Sequence, residues 1–316
     1  MPGFETIGKE EQQAVEEIFA NGGILYRYGF DTKRKGVYKV TEFEQLFAKK
    51  LNVRYAQAVS SGTAALQTAL HALGIKPGDE VITQSHTFVA TVEAILALGA
   101  TPVLTQINHT LNMDSADLEA KISEKTRAII PVHMLGVAAE MNEIMSIAQK
   151  YAIPVVEDAC QALGALYKGR HLGTIGAIGV FSFDFAKTIT TGEGGMVITN
   201  DETFFLRARG YQDHGHDQNP HFPRGKDTHD SWGLNFRMME IQGALGIAQL
   251  KKLDSIIENQ KNNKQKIKNG LKQNIALQWR ELPDEEGDSA DALIFFVESE
   301  DVASKIAAMA ASAGVG

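Results

Sequence analysis

One cysteine, Cys160, is all that this chain of 316 residues carries, so no internal disulfide can form. A lone thiol of this kind is more often a small packing residue than a nucleophile. Cationic charge is also scarce. Thirty-one lysines and arginines against 39 acids leave a net charge of −8, which offers no footprint for nucleic acid or an anionic membrane surface. No apolar run reaches the roughly 20 residues that a bilayer-spanning helix needs. Glu5, Lys9, Glu10 and Glu11 put charge where a signal peptide would be apolar. Two phosphate-binding signatures are missing as well. No Walker sequence occurs, and no Gly-x-Gly-x-x-Gly follows the first strand; Gly173, Gly176 and Gly179 have the wrong spacing for it. Internal repeats and low-complexity tracts are absent too. These absences argue against a disulfide scaffold, a membrane protein, a nucleic-acid binder and a nicotinamide dehydrogenase. A cytoplasmic enzyme is the expectation that remains.

What is present reads as an ordinary globular chain, 44% apolar and 22% charged, long enough for about two domains. Apolar runs at residues 55–59, 80–83, 101–104, 128–132, 154–157, 180–185 and 196–199 read as strands. Helical patterning falls between and around them: at residues 8–20, from 41, in a helix that residues 60–66 open and that reaches about 73, and at 89–99, 116–122 and 141–151. Thr41 with Glu44 three residues on reads as a capping box, with Phe43, Leu46 and Phe47 facing inward. Strands alternating with helices imply a mostly parallel sheet covered on both faces. After a largely helical stretch at 234–273 a second pattern begins: a strand at 276–280, an acidic turn, a strand at 293–297 and a helix at 302–313.

The chemistry concentrates in residues 180–200. An aromatic strand is expected to end just before Lys187, a Gly-rich turn follows, and a second strand starts at Met196. Partial burial there would keep the amine nucleophilic, as a Schiff-base lysine requires. The alternative is a lysine that snorkels to water. Asp158 follows Val155 and Val156 at the carboxyl end of a strand, where open α/β sheets place ligands, although an acid there can also cap a helix. The strand-to-helix turn at residues 60–66 is either an anion site or a plain N-cap. Residues 26–39 carry Arg27, Lys33, Arg34, Lys35 and Lys39 among Tyr26, Tyr28, Phe30 and Tyr38, which reads as a solvated loop or as a contact for an anionic ligand. Residues 209–230 read as a long loop of the kind that forms lids. Its His214, His216, His221 and His229 lack fixed spacing and no cysteine helps them, so no metal is expected.

Six motifs occur in one order: Ser60-Ser61-Gly62-Thr63-Ala64-Ala65, Thr87-Phe88-Val89-Ala90-Thr91, Glu157-Asp158-Ala159-Cys160-Gln161, Phe181-Ser182-Phe183 leading to Lys187, Gly192-Glu193-Gly194-Gly195, and residues 235–242. In this set the chain resembles the DegT/DnrJ/EryC1/StrS family of pyridoxal 5'-phosphate (PLP) dependent sugar aminotransferases, across nearly all of residues 7–316. The resemblance implies an α/β fold of the aspartate aminotransferase type, PLP fold type I. Residues 1–250 would form a large domain around a mostly parallel seven-stranded sheet, and residues 251–316 a small C-terminal α/β domain that looks incomplete beside the family. It also implies PLP as cofactor, L-glutamate as donor, a keto-sugar as acceptor and a homodimer with shared active sites, serving cell-surface polysaccharide or lipopolysaccharide synthesis.

On the same resemblance, Lys187 would hold the cofactor as a Schiff base and move a proton, and Asp158 would pair with the ring nitrogen. Phe88 would stack on the ring and Gln161 would reach its 3-oxygen. The amides of Gly62 and Thr63 and the hydroxyl of Ser182 would hold the phosphate, with Asn235 reaching it from the other subunit. Arg27, Arg34, His86, Asp184 and His214 are the expected substrate contacts, although many relatives carry a ring-bearing residue near the position of Asp184. The basic segment and the His-rich loop are similar to the subgroup that aminates 8-oxo-Kdo to 8-amino-3,8-dideoxy-manno-octulosonate, whose carboxylate an arginine fork would meet. The alternative is a nucleotide-linked 3- or 4-keto-hexose. Remoter readings are a PLP-fold dehydratase, a class that replaces the anchoring lysine, and a non-catalytic binding module.

Overall fold

The computed structural model describes residues 3–219, 221–222, 225–229, 231–272 and 277–314. Seven strands run side by side through it: β1 (Tyr55–Val59), β2 (Glu80–Gln84), β3 (Thr101–Thr105), β4 (Thr126–Ile130), β5 (Val156–Asp158), β6 (Ile178–Ser182) and β7 (Gly195–Thr199). β3, β2 and β4 form one set, all parallel, and β5, β6, β7 and β1 form a second, in which β5 and β6 are parallel. Parallel bridges from Ile129 to Val155 and from Val132 to Asp158 join the two sets. β7 is antiparallel to both its neighbours, β6 and β1. The sheet is therefore mostly parallel, as the strand–helix alternation implies.

Both faces of this sheet are covered, and the side-chain alternation of each strand divides the core in two. Val81, Ala128, Ile130, Val180 and Val197 point to one side. There they meet Leu66 and Leu70 of α3 (Gly62–Leu73), Ile95 of α4 (Val89–Ala97) and Tyr211 of α7 (Glu202–Tyr211). Ile82, Ile129, Phe181, Met196 and Ile198 point to the other, against Phe43 and Phe47 of α2 (Lys39–Leu51), Ile144 of α6 (Met141–Lys150) and Leu253 of α8 (Glu240–Lys272). α1 (Lys9–Ala20) packs along α8, and α5 (Ser115–Ala120) beside α6. Residues 250 and 251, the expected domain division, lie inside the 33-residue helix α8. Beyond it, Gln278–Trp279 pairs with Phe295–Phe296, and α9 (Glu300–Ser312) follows. Residue 276, the expected start of that strand, is outside the described residues. Among the described residues no helix is long and apolar enough to cross a membrane.

Three local expectations are corrected. The strand before the lysine ends at Ser182, because the Asp184 carboxylate accepts from Ala186 N–H at 3.0 Å and turns the chain. The Phe-x-Phe alternation mimics a longer strand than the turn allows. There is no capping box at Thr41: α2 starts at Lys39, and Glu44 reaches out of the helix to Arg27, Gln57 and the N–H of Ala58 at 2.9, 3.0 and 2.7 Å. The start of the long loop is helical, since α7 runs to Tyr211, while α8 begins only at Glu240. Residues 235–237 are extended instead, with Phe236 O accepting from Ser60 N–H and Arg237 bridging to Val59.

Candidate active site

A cavity of about 420 Å3 opens at the carboxyl ends of β5 and β6, on the edge of α3. Gly62, Thr63, Phe88, Asp158, Gln161, Ser182, Asp184 and Lys187 all line it. The sheet explains the convergence. Parallel strands β5 and β6 run to the same edge of the sheet: Asp158 ends β5 opposite Val180, Ser182 ends β6 two residues further on, and the turn after β6 brings Lys187 to the same cavity.

The Asp158 side chain is buried, and two hydrogen bonds fix it: Thr91 Oγ1 donates to Oδ2 at 2.8 Å and Cys160 N–H donates to Oδ1 at 3.2 Å. Thr91 in turn shares a 2.8 Å contact with the hydroxyl of Thr87. Burial beside that carboxylate pushes the Cys160 thiol well above its ordinary value, so the only cysteine stays neutral. Directly below, the buried Glu157 carboxylate accepts N–H groups of Gly173, Ile175 and Gly176 at 2.8, 2.5 and 2.6 Å. His133 Nδ1 accepts from Ala139 N–H at 3.1 Å, so its Nε2–H donates to Glu157 at 3.1 Å. These bonds immobilise the strand that carries Asp158.

Lys187 is half-buried in the turn, its N–H bonded to Asp184 O at 3.0 Å. Its own carbonyl accepts from Gly3 N–H at 2.7 Å, so the start of the chain props the turn from below. A Cβ on Gly3 would lie 2.8 Å from the backbone of Ile189 and Thr190, which reserves this position for glycine. At the other wall, Ser61 caps α3 by accepting from Ala64 N–H at 3.0 Å, and the N–H groups of Gly62 and Thr63 have no partner among the described residues. A Cβ on Gly62 would lie 2.7 Å from Ser182 Cβ, so only glycine lets the helix end approach that hydroxyl. Gln161 accepts from Leu135 N–H through Oε1 at 3.2 Å, which turns its amide NH2 into the free donor. Phe88 leaves 65% of its surface open at the cavity rim.

Other expected site residues lie elsewhere. Arg27 is only 6% exposed and makes a two-pronged contact with Glu44 at 2.9 and 3.0 Å, while donating to Ala58 O at 3.2 Å. Burial works against its charge, yet Glu44 outweighs it and raises the guanidinium above its ordinary value. Arg34, 2% exposed, is committed to the carbonyls of Tyr26 and Arg27 and stacks on Tyr38. Both arginines of the basic segment thus turn inward and hold it together, while Phe30, Lys33 and Lys35 stay exposed. His86 sets Nδ1 against Leu111 O at 3.3 Å and is not a cavity residue. His214, exposed and in a left-handed conformation at φ 56°, donates its N–H to Leu234 O at 3.0 Å and offers its carbonyl to His229, and it is not among the residues lining the cavity. Asn235 is exposed and lines no part of its own chain's cavity. Sequence reasoning missed Thr91, Ser61, Phe185 and Glu193 as cavity residues. Thr87 and Thr91 were visible as hydroxyls four apart, the spacing that places both on one side of a helix start.

The profile of the DegT/DnrJ/EryC1/StrS aminotransferase family matches residues 5–315. The chain belongs to this family. It is 43% identical over 242 residues to the GDP-perosamine synthase of Escherichia coli O157:H7, an alignment spanning 76% of the chain and 64% of that relative. The chain spans less than two thirds of the length of the curated relatives it matches, 57 to 64%. An aminotransferase from Psychrobacter cryohalolentis superposes with a TM-score of 0.76 at 37% identity, covering 82% of this chain and 65% of that one. An E. coli GDP-4-keto-6-deoxy-D-mannose-3-dehydratase with bound hydrated PLP superposes with a TM-score of 0.86 at 25% identity, covering 98% and 82%. The fold is PLP fold type I, as these family members share it.

Proposed function

We propose that this member of the family is a PLP-dependent aminotransferase that moves an amino group from L-glutamate to a nucleotide-linked keto-sugar. The observation that carries the reading is the convergence on one cavity of about 420 Å3 of Lys187, the buried Asp158 carboxylate and the N–H groups of Gly62 and Thr63, which have no partner among the described residues. The residues present fit the cofactor. A phosphate group needs donors at a helix N-terminus, and Gly62 and Thr63 supply them beside the Ser182 hydroxyl in a cradle that a Cβ on Gly62 would fill. When bound, PLP supplies an electron sink for charge developing at the amino-bearing carbon. Asp158, oriented by Thr91 and Cys160, would hold a proton on the ring nitrogen. Phe88 would cover one face of the ring and keep water from it, and Gln161 Nε2 would donate to the ring oxygen. Lys187 Nζ would anchor the cofactor and afterwards carry the proton to and from the reacting carbon.

The nucleotide-linked acceptor is favoured over 8-oxo-Kdo on two grounds. The E. coli relative is named for GDP-perosamine. The arginine fork that would have met a free carboxylate is buried against Glu44 and backbone carbonyls. Transamination is favoured over dehydration because the anchoring position holds Lys187. A homodimer is supported by Asn235, exposed and away from its own cavity, and by the exposed Trp232 and Met239 nearby. The same reading places the protein in the cytoplasm, in polysaccharide synthesis. The test is a glutamate-to-2-oxoglutarate assay run in parallel on GDP-, UDP- and dTDP-linked keto-hexoses and on 8-oxo-Kdo. Turnover with a nucleotide sugar supports the proposal; turnover with 8-oxo-Kdo alone, or none in a PLP-loaded protein, overturns it.

A further inference from the structure

Away from the cavity, the long loop after α7 closes on itself at its base. His216 and His229 face one another in an isolated antiparallel bridge, and Asp217 N–H donates to Thr228 O at 3.1 Å beside it. Thr228 Oγ1 adds a 2.5 Å bond to the Asp217 carboxylate. The two imidazoles come to rest 4.1 Å apart between centroids, inclined at 49°. Asp227, two residues before His229, turns its carboxylate against His216 Nδ1 at 2.9 and 3.0 Å. One donor atom from each of His216, Asp227 and His229 lies within 4.8 Å of the other two.

Two of the three groups, His229 and Asp227, are also oriented from behind. His229 Nδ1 donates to His214 O at 3.0 Å, which leaves the Nε2 lone pair as the outward-facing atom. The Asp227 carboxylate accepts from Gly225 N–H at 2.9 Å and Gln218 N–H at 3.2 Å. Backbone groups that fix a ligand's tautomer and direction in this way are the outer shell that metal sites use. Neither imidazole Nε2 makes a hydrogen bond among the described residues. Their positions in sequence gave no metal-site spacing, because pairing across a loop is not a helical or hairpin repeat.

We propose that His216, Asp227 and His229 form a binding site for one divalent cation of the zinc class, unconnected with the catalytic cavity. Two imidazole nitrogens with one carboxylate oxygen suit Zn2+, and water would take the fourth tetrahedral position from the exposed side of His229. The cation replaces the hydrogen bond between His216 Nδ1 and Asp227, the ring proton moving to Nε2, and His229 binds through Nε2. Tetrahedral zinc with arms of about 2.1 Å sets its donors about 3.4 Å apart, so the trio need close only a little from its present spread. The ion clamps the base of a loop that Gln218 already ties to Tyr28 OH at 2.8 Å.

The test uses the untagged, metal-stripped chain titrated with Zn2+ by calorimetry. One zinc per chain is expected, with Kd raised roughly tenfold or more in both His216→Ala and His229→Ala and unchanged in His221→Ala. No zinc uptake, uptake indifferent to the first two substitutions, or equal loss in His221→Ala overturns the site. Circular dichroism checks that the variants fold. A second measurement needs no variant: saturating Zn2+ should slow tryptic cleavage after the exposed Lys226 in the wild-type chain. Equal cleavage rates with and without zinc would refute the clamp.

Discussion

Replacing Thr91 by valine removes one oxygen and nothing else of consequence. That hydroxyl donates at 2.8 Å to Asp158 Oδ2, one of the two hydrogen bonds fixing the carboxylate. A hydrogen bond to a charged group contributes about 1.5–3 kcal/mol, and each ~1.4 kcal/mol is tenfold in rate, so kcat should fall by roughly 10- to 150-fold. On the proposed role of Asp158 the loss should appear in kcat more than in the KM for the sugar, because the Thr91 hydroxyl is spent on that carboxylate. Thr91→Ser, which keeps the donor, should recover most of the rate, whereas a purely packing role would be rescued better by valine. The assay is the glutamate-dependent half-reaction followed by the cofactor's visible absorbance, with the melting temperature measured alongside. A valine variant within twofold of wild type, or a serine variant no faster than valine, would refute the reasoning.

Lys187→Ala should abolish turnover while PLP still binds through Gly62, Thr63 and Ser182; borohydride should then fix no cofactor to the chain, and residual activity near wild type would remove Lys187 from its role. Asp158→Asn should lower kcat by orders of magnitude with the fold unchanged, read from kinetics and circular dichroism together. Arg27→Ala should leave the sugar KM alone but cost about 2–4 kcal/mol of stability, because the part-buried Glu44 loses its counter-ion and keeps only Gln57 and the N–H of Ala58; denaturant titration measures it. Light scattering should show a dimer, and an active monomer would sink the expected role of Asn235 at a shared site.

The legible parts of this protein are those that local pattern controls. β1 occupies residues 55–59 as the sequence implies, and α3 starts within the 60–66 turn and ends at Leu73 as expected, because a strand, a hydroxyl-rich turn and an alanine-rich helix each announce themselves over a few residues. Lys187, Asp158 and the glycine at position 62 were readable because six motifs fall in one order. The arginines were misread for a physical reason. Local sequence shows charge and rings but not that Glu44, 17 residues after Arg27, turns away from its own helix to neutralise a guanidinium in the interior. The histidines were illegible in the same way, since only the closing of the loop brings His216 to His229. The hydroxyl of Thr91 fails on distance too: its partner carboxylate lies 67 residues on.

The hydrogen bond from Gly3 to the carbonyl of Lys187 bears on how the protein assembles. The N-terminal prop is synthesised long before the turn it supports, and the strands carrying Asp158 and Ser182 are made between the two. The cavity therefore cannot exist in any fragment that stops short of residue 187, and closing so long a loop is among the slower steps of folding. A nascent chain emerging from the ribosome would hold its helices early and its catalytic turn late. The coenzyme, needing the finished cradle, can select only chains that have completed that closure, which makes loading with coenzyme a direct readout of correct assembly.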